Sequence, residues 1–372
     1  MKVGCLREIK NNEFRVGLTP DGARDFIAHG HEVFLEKNAG FGSGFPDEDY
    51  RVLGVTILDQ AEEVWNTVDL MIKVKEPLKE EYPFLREGMI LFTYFHLAAA
   101  PDQLRALLDH KIKAVAYETI EDEDGTLPCL APMSQIAGRL SIQEGAKYLE
   151  KPFGGAGILL AGVPGTPKAN VVILGAGAVG TNACKIALGM GANVSILNRS
   201  VKKLEVLDNI FGAHVQTLVS SDSNIERVLK NADLVIGSVL VPGGSTPKLI
   251  RRHHLKMMKN GAVFVDVSID QGGCAESSRP TTHDDPIYIE EGVIHYCVTN
   301  MPGAVPRTST IALTNATLKY ALKIADMGLE KAAEEDMALA KGVNCYLGEL
   351  TNKNVAEATH QEYHPLKQAI HA

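Results

Sequence analysis

Three glycines at the spacing Gly175-x-Gly177-x-x-Gly180 close the apolar run Val171–Leu174 and open the helix-compatible stretch 181–190. Each has a separate physical task. Gly175 permits the tight strand-to-helix turn, Gly177 lets main chain approach a pyrophosphate, and Gly180 lets the helix pack closely on its strand. The helix start then offers N–H groups and the positive end of its dipole to phosphate oxygens. A second strand-like run, 193–200, ends where an acidic residue would accept hydrogen bonds from an adenosine ribose. This chain has Asn198 there, followed by Arg199 and Ser200. An amide does not repel a 2′-phosphate, and a guanidinium binds one bidentately. NAD(H) and NADP(H) therefore both stand as cofactors, with Asn198-Arg199 favouring NADP(H). The alternative is an Asn198 that bonds a ribose hydroxyl beside an Arg199 turned to solvent.

The residues able to hold an acid or move protons follow other strand-like runs. Lys75 ends such a run at 70–75, where partial burial lowers the pKa of an ammonium. Lys73, two residues earlier, would share its face in a regular strand, so chemistry alone does not choose between them. His96 closes the run 91–96, and imidazole transfers protons near neutral pH. With twelve histidines in the chain, however, one that follows an apolar strand is more often structural. Asp270 follows the run 262–267, at the carboxyl end where an α/β sheet presents its ligands. Asp266, inside that run, competes with it and reads as buried. Arg15 follows the polar turn Asn11-Asn12-Glu13. A guanidinium is the best fork for a carboxylate, although an arginine in such a turn usually lies at the surface.

Positioning these residues requires alternating strands and helices. In the N-terminal third, strands are expected at Lys2–Cys5, Glu32–Leu35, Leu70–Val74, Met89–Thr93 and Lys113–Ala116, with helices at Pro20–His29 and Pro101–His110. The stretch 38–50 reads as a glycine-rich turn leading toward a helix. A longer amphipathic helix spans 133–149, with Met133, Ile136, Ala137 and Leu140 on one face. Beyond the glycine loop, strands are expected at Val215–Val219, Leu234–Gly237 and Ala262–Val267. Another long helix runs from about 307 to 327, and the rest of the C-terminal part reads as polar and helix-rich. The pattern predicts an α/β protein with two Rossmann-like, doubly wound domains. A dinucleotide-binding domain, 129–306, is inserted into a discontinuous substrate domain formed by 1–128 and 307–372.

Composition narrows the function classes. The 372 residues carry a formal charge of -9, which disfavours nucleic acid as a partner. The N-terminus lacks the apolar core of a signal peptide, and no run of 18 apolar residues suggests a membrane span. Six scattered cysteines, without metal-ligand spacing, suit reduced thiols in the cytoplasm. His360, His364 and His371 lie four and seven residues apart, but Pro365 interrupts that helix face; no metal is expected, and this tail reads as solvated surface.

Several longer stretches then carry a resemblance: EIKNNEFRVGLTP (8–20), GSGFPDEDY (42–50), MIKVKEP (71–77), LFTYFHLAAA (91–100), APMSQIAGR (131–139), VDVSIDQGG (265–273), TTHDDP (281–286) and NMPGAVPRTST (300–310). Together they resemble the alanine dehydrogenase family over essentially the whole chain. The resemblance implies reversible oxidative deamination of L-alanine to pyruvate and ammonium with a nicotinamide cofactor, in a cytoplasmic homo-oligomer expected to be a hexamer. It places Arg15 and Lys75 on the substrate, with Lys75 polarising the carbonyl, and makes His96 and Asp270 the acid/base groups. On the cofactor it places Ser134, the loop residues Ala178 and Val179, Lys203, Ser220, Val239, Leu240, Val267, Asp270, Arg279, and the segment Val298 to Met301. Asn198-Arg199 departs from the family's usual Asp followed by an apolar residue. A nucleotide-binding coupling subunit, like the soluble part of transhydrogenase, is the rival reading; the Arg15, Lys75, His96 and Asp270 quartet argues against it.

Overall fold

A computed structural model describes residues 1–239 and 246–371. The first six strands are β1 (Lys2–Cys5), β2 (Glu32–Glu36), β3 (Thr56–Leu58), β4 (Leu70–Ile72), β5 (Ile90–Thr93) and β6 (Lys113–Ala116). The next seven are β7 (Asn170–Leu174), β8 (Asn193–Asn198), β9 (Val215–Val219), β10 (Leu234–Gly237), β11 (Val263–Asp266), β12 (Ile287–Glu290) and β13 (Val293–Tyr296). Near the C-terminus lie β14 (Val343–Tyr346) and β15 (Glu349–Leu350). The chain forms two compact units, Met1–Met133 with Val305–Ala372, and Ser134–Ala304.

In the first unit the sheet order is β15-β14-β6-β5-β4-β1-β2-β3. The six N-terminal strands pair in parallel, while β14 and β15 add antiparallel pairs at one side. Strands covered on both faces should read as unbroken apolar runs, and β4 and β5 are buried at every position. Helices start where the chemistry favours it. Thr19 accepts the Gly22 N–H at 3.2 Å ahead of the helix Pro20–Ala28, and proline begins both that helix and Pro101–Asp109. A core around Trp65, Leu91, Leu104 and Ala114 also takes in Cys345, Leu350 and Val355 from the C-terminal arm.

In the second unit the order is β12-β13-β11-β10-β7-β8-β9. The strands are parallel except for the β12–β13 hairpin. Numbered from each unit's own first strand, the parallel strands of both units run 3-2-1-4-5-6, the doubly wound order. The strand order reverses between β1 and β4 in one unit, and between β7 and β10 in the other. Ligands bind outside the carboxyl ends of the strands at such a point. Both units are therefore Rossmann-like α/β sheets, as the alternation of strands and helices predicts.

Three details correct the sequence reading. The strand expected to reach Val74 stops at Ile72, so Lys73 and Lys75 do not share a strand face. The C-terminal part is helix-rich as expected but also carries two strands, β14 and β15, which are too short for their alternation to register and extend the first sheet. The tail is not free surface either, because His364 donates its main-chain N–H to the Leu350 carbonyl and sets its ring 3.0 Å from Glu349.

Candidate active site

At the β7–β10 reversal two of the three glycines are fixed by close main-chain contacts. Gly175 has φ +112°, and a Cβ there would lie 2.6 Å from the Ser238 carbonyl oxygen. A Cβ on Gly180 would sit 1.9 Å from the Gly175 carbonyl oxygen and 2.8 Å from Ser238 Oγ. Gly177 differs: its Cβ would meet nothing within 4 Å. It precedes the helix Ala178–Gly189, whose first turn has no acidic residue and no side-chain cap. This is the donor set a pyrophosphate requires, with space beside Gly177, the exposed Ala178 and the half-buried Val179. Ser238, which sequence reasoning missed, braces the loop from β10, its Oγ 2.9 Å from the Leu174 carbonyl and 3.1 Å from that of Gly175.

Asn198 ends β8 and is tied into the same loop. Its Oδ1 accepts the Ala176 N–H at 3.2 Å and its Nδ2 donates to the Ser200 carbonyl at 3.2 Å. The Ser220 N–H donates to the Asn198 carbonyl at 3.0 Å, which brings those two predicted residues together. Arg199 and Lys203 are exposed beside Lys202, a cation the sequence reading passed over, and none of the three forms an ion pair among the described residues.

Other predicted residues of this unit differ in exposure. Val239 follows β10 and is half-buried, Ser134 lies in the first turn of the helix Ala131–Tyr148, and Leu240 falls outside the described residues. Val298 and Met301 are packed away, with 1% and 3% exposure. Arg279 is exposed, its guanidinium 3.9 Å from the centre of the Tyr288 ring. The two competing aspartates differ in exposure and partners. Asp266 is wholly buried and accepts from the Ser268 N–H at 3.0 Å, the Cys274 N–H at 2.9 Å and Ser278 Oγ at 2.5 Å. Burial raises its pKa, and those donors oppose the rise. Asp266 therefore anchors the turn Val267–Gln271, on which Asp270 stands exposed.

The first unit gathers charged side chains at its own reversal, beyond β1 and β4. Arg15 is 2% exposed, against the surface expectation for its type. The cause lies two residues earlier. Glu13 takes Arg15 Nε and Nη2 in a fork, both at 2.6 Å, and accepts the Arg15 N–H at 3.2 Å. Burial disfavours the guanidinium charge, but Glu13 outweighs it and holds the pKa above the ordinary value. Arg15 Nη1 also lies 3.1 Å from the Met133 sulfur. Lys75 is half-buried, and its pKa is depressed first by desolvation and then by the neighbouring Arg15. A small carboxylate would relieve that repulsion. A cavity of about 700 Å³ opens along Glu8, Glu13 and Arg15, with Phe14 and Phe41 at its rim.

His96 follows β5 but is not part of it. It has φ +54°, an uncommon conformation for a residue with a Cβ, and precedes the short turn Leu97–Ala99. Glu118 holds that conformation in place, accepting the His96 N–H at 2.6 Å and the Phe95 N–H at 3.2 Å. The imidazole is exposed and lies parallel to the Tyr94 ring at 6.0 Å between centres. Tyr94 in turn donates to the Cys129 carbonyl at 2.6 Å.

The residues missed from sequence are mostly acids. Glu8, Glu13 and Glu118 each hold a main chain or a guanidinium, and an isolated glutamate carries no local sign of such a task. Glu226, His253 and His254 also converge, with ring nitrogens 3.6 and 3.7 Å from one carboxylate oxygen. His254 Nδ1 accepts the Arg251 N–H at 3.1 Å. A neutral ring then carries its proton on Nε2, facing Glu226, which disfavours metal ligation through that atom. All six cysteines are buried and unpaired.

Comparison with known proteins covers nearly the full chain. Residues 4–137 match the family described as alanine dehydrogenase/PNT, N-terminal domain, and residues 141–353 match its C-terminal domain. Alanine dehydrogenase 2 of Staphylococcus aureus strain MRSA252 is 53% identical over 372 residues, covering 100% of both chains. The protein of strain Mu50 is 52% identical over 371 residues, again covering 100% of each. A solved L-alanine dehydrogenase superposes with a TM-score of 0.94 at 48% identity, covering 96% of this chain and 99% of the other. A transhydrogenase from Sinorhizobium meliloti shares the fold, with a TM-score of 0.80 at 20% identity over 95% and 99% of the two chains.

Proposed function

The chain belongs to the alanine dehydrogenase/PNT family, and we propose that it interconverts L-alanine with pyruvate and ammonium through the residues described above. The supporting observation is the pair of cations beyond β1 and β4. Arg15, held in a fixed orientation by Glu13, and Lys75, with its depressed pKa, together suit a small acid bearing a carboxylate next to a carbonyl or amine. Arg15 binds the carboxylate. Lys75 polarises the pyruvate oxygen in the reductive direction. A nicotinamide held at the glycine loop would supply the acceptor for the Cα hydride, and the alanine ammonium, having given one proton to solvent, would be left as an iminium. Water then adds to the resulting iminium, with His96 taking its proton and Asp270 orienting it, and collapse of the carbinolamine releases ammonium and pyruvate.

The nucleotide is held by Gly175, Gly177 and Gly180 with the helix start behind them, in a dinucleotide domain placed at 129–306. Ser134, Val267 and Arg279 line its nicotinamide side in this reading, while Val298 and Met301, whose side chains are packed away, offer it main chain only. NADP(H) acceptance rests on Arg199, Lys202 and Lys203, which stand exposed and, among the described residues, without an acidic partner, where Asn198 takes the place of a ribose-reading carboxylate. Because both amide atoms of Asn198 are engaged in the loop, the phosphate would be read by Arg199. A homo-hexamer is proposed on the family resemblance, and sedimentation tests it. Among the described residues no helix is long and apolar enough to cross a membrane.

Initial rates with L-alanine, comparing kcat/KM for NAD⁺ and NADP⁺, test the whole reading. Alanine-dependent reduction is expected, and Arg199→Ala should weaken NADPH binding while leaving NADH binding unchanged. Unchanged NADPH affinity would refute the phosphate assignment without touching the enzyme assignment. His96→Ala should abolish turnover and preserve cofactor binding.

A further inference from the structure

Lys75 stands on main chain that has left the sheet, and we propose that Glu8 and Thr93 are the positioning residues that fix it there, with buried Lys73 fixing Glu8. The inference rests on the reading that Lys75 contacts substrate. After Ile72 the ladder hydrogen bonds of β4 toward β1 end, because β1 itself stops at Cys5. The next donors need other acceptors. Glu8 supplies them: its Oε1 accepts the Val74 N–H at 2.6 Å and the Lys75 N–H at 3.2 Å. On the other side, Thr93 Oγ1 donates to the Lys75 carbonyl at 2.9 Å. Both polar main-chain groups of Lys75 are thus held by side chains.

Glu8 is itself immobilised. Its Oε2 lies 3.2 Å from Lys73 Nζ, and the same ammonium donates to Glu81 Oε1 at 2.9 Å. Glu81 Oε2 accepts the Leu78 N–H at 2.8 Å, so the segment that carries Lys75 is tied at both ends. Lys73 is fully buried and cannot reach a ligand; its influence runs through Glu8. The Lys73-Val74-Lys75 sequence therefore combines two lysines with different tasks, one anchoring and one working.

Thr93→Val is the cleanest variant, because it preserves shape and leaves the Lys73–Glu8–Glu81 cluster intact. Displacing a substrate-binding group by about 1 Å costs on the order of 100-fold. We expect kcat/KM for pyruvate, at saturating ammonium and NADH, to fall by roughly 10- to 100-fold. Thr93→Ser should restore it, and the NADH Kd should stay unchanged. The basic limb of the pyruvate pH profile should also move upward, because a displaced Lys75 is less desolvated. Glu8→Gln should behave similarly but more mildly, since its amide oxygen still accepts the two N–H groups. Lys75→Met separates the two ideas. If it is inactive while Thr93→Val and Glu8→Gln match wild type in rate and pH profile, the positioning proposal is overturned and the substrate role of Lys75 survives. If Lys75→Met retains normal kcat/KM for pyruvate, both fall. Should Glu8→Gln fail to fold, the Thr93→Val and Thr93→Ser pair decides alone.

Discussion

The two units share one strand order and fill its reversal point with opposite materials. Between β7 and β10 the second unit presents main chain: three glycines, a helix start, and a serine that braces the turn. Between β1 and β4 the first unit presents side-chain charge: Glu8, Glu13, Arg15, Lys73 and Lys75. The difference follows from the ligand each reversal suits. A pyrophosphate is large and anionic along its length, so many weak main-chain donors suffice if nothing obstructs them. A three-carbon acid offers few atoms and must be gripped by strong, directed charges. One reversal is therefore vulnerable to added atoms, and the other to removed charges.

The largest effect is expected from Lys73→Met. It leaves Glu8 and Glu81 buried without their shared ammonium, and breaking such a pair costs about 3–5 kcal/mol. The loss should depend on pH with a defined sign. Burial already raises the Glu8 pKa above its ordinary value, against the opposing pull of Lys73. A carboxylate raised in the folded state binds more protons folded than unfolded, so its contribution to stability falls as pH rises above the ordinary carboxylate value. Removing Lys73 raises that pKa further. Urea unfolding should therefore show a smaller penalty near pH 5 than near pH 8. An equal penalty at both would mean that Glu8 is not the group left stranded.

Gly180→Ala is the matching perturbation of the other reversal, and it should be smaller. The new methyl would lie 1.9 Å from the Gly175 carbonyl oxygen, a main-chain atom that cannot swing aside. Overpacking of this kind costs about 1–3 kcal/mol. NADH affinity should fall with it, while the Arg15–Glu13 fork of the first unit is untouched. Fluorescence titration of NADH together with thermal unfolding checks both halves. Normal NADH binding would mean that the loop can reshape without loss, and the contrast between main chain and side chain would be too strong.

How far the sequence exposes these sites follows from the same contrast. Gly175 and Gly180 are legible because their surroundings admit no other residue, and the neighbouring runs Val171–Leu174 and Leu234–Gly237 form strands at their expected places. The charged reversal is not self-evident. Arg15 looks like a surface residue because the fork that buries it becomes visible only in three dimensions. Lys73 and Lys75 look equivalent because the main chain after Ile72 is held by Glu8, more than 60 residues away in sequence. Resemblance singles out His96, but its left-handed backbone and its support from Glu118 have no local signature. Short strands such as β14 fail for a different reason: only the sheet beside them makes their few residues strand-like.

The smallest effect is the most discriminating. Gly177 has φ -86° and ψ -168°, an extended conformation that any residue adopts, and a Cβ there would meet nothing. Its helix nevertheless lacks a side-chain cap, whereas Ser200 and Ser221 cap the next two helices by accepting N–H groups from Lys203 and Asn224. Stability alone gives no reason to keep glycine at this position. Gly177→Ser should supply the missing cap and stabilise the ligand-free protein by a few tenths of a kcal/mol. The same hydroxyl would occupy the space and engage the N–H groups that a pyrophosphate needs, so NADH should bind more weakly. A small rise in Tm joined to a loss of affinity would show that the open helix start is reserved for ligand. Higher Tm with unchanged affinity would show that the N–H groups at this helix start are not the phosphate donors, and would shift that role to the cations around Arg199.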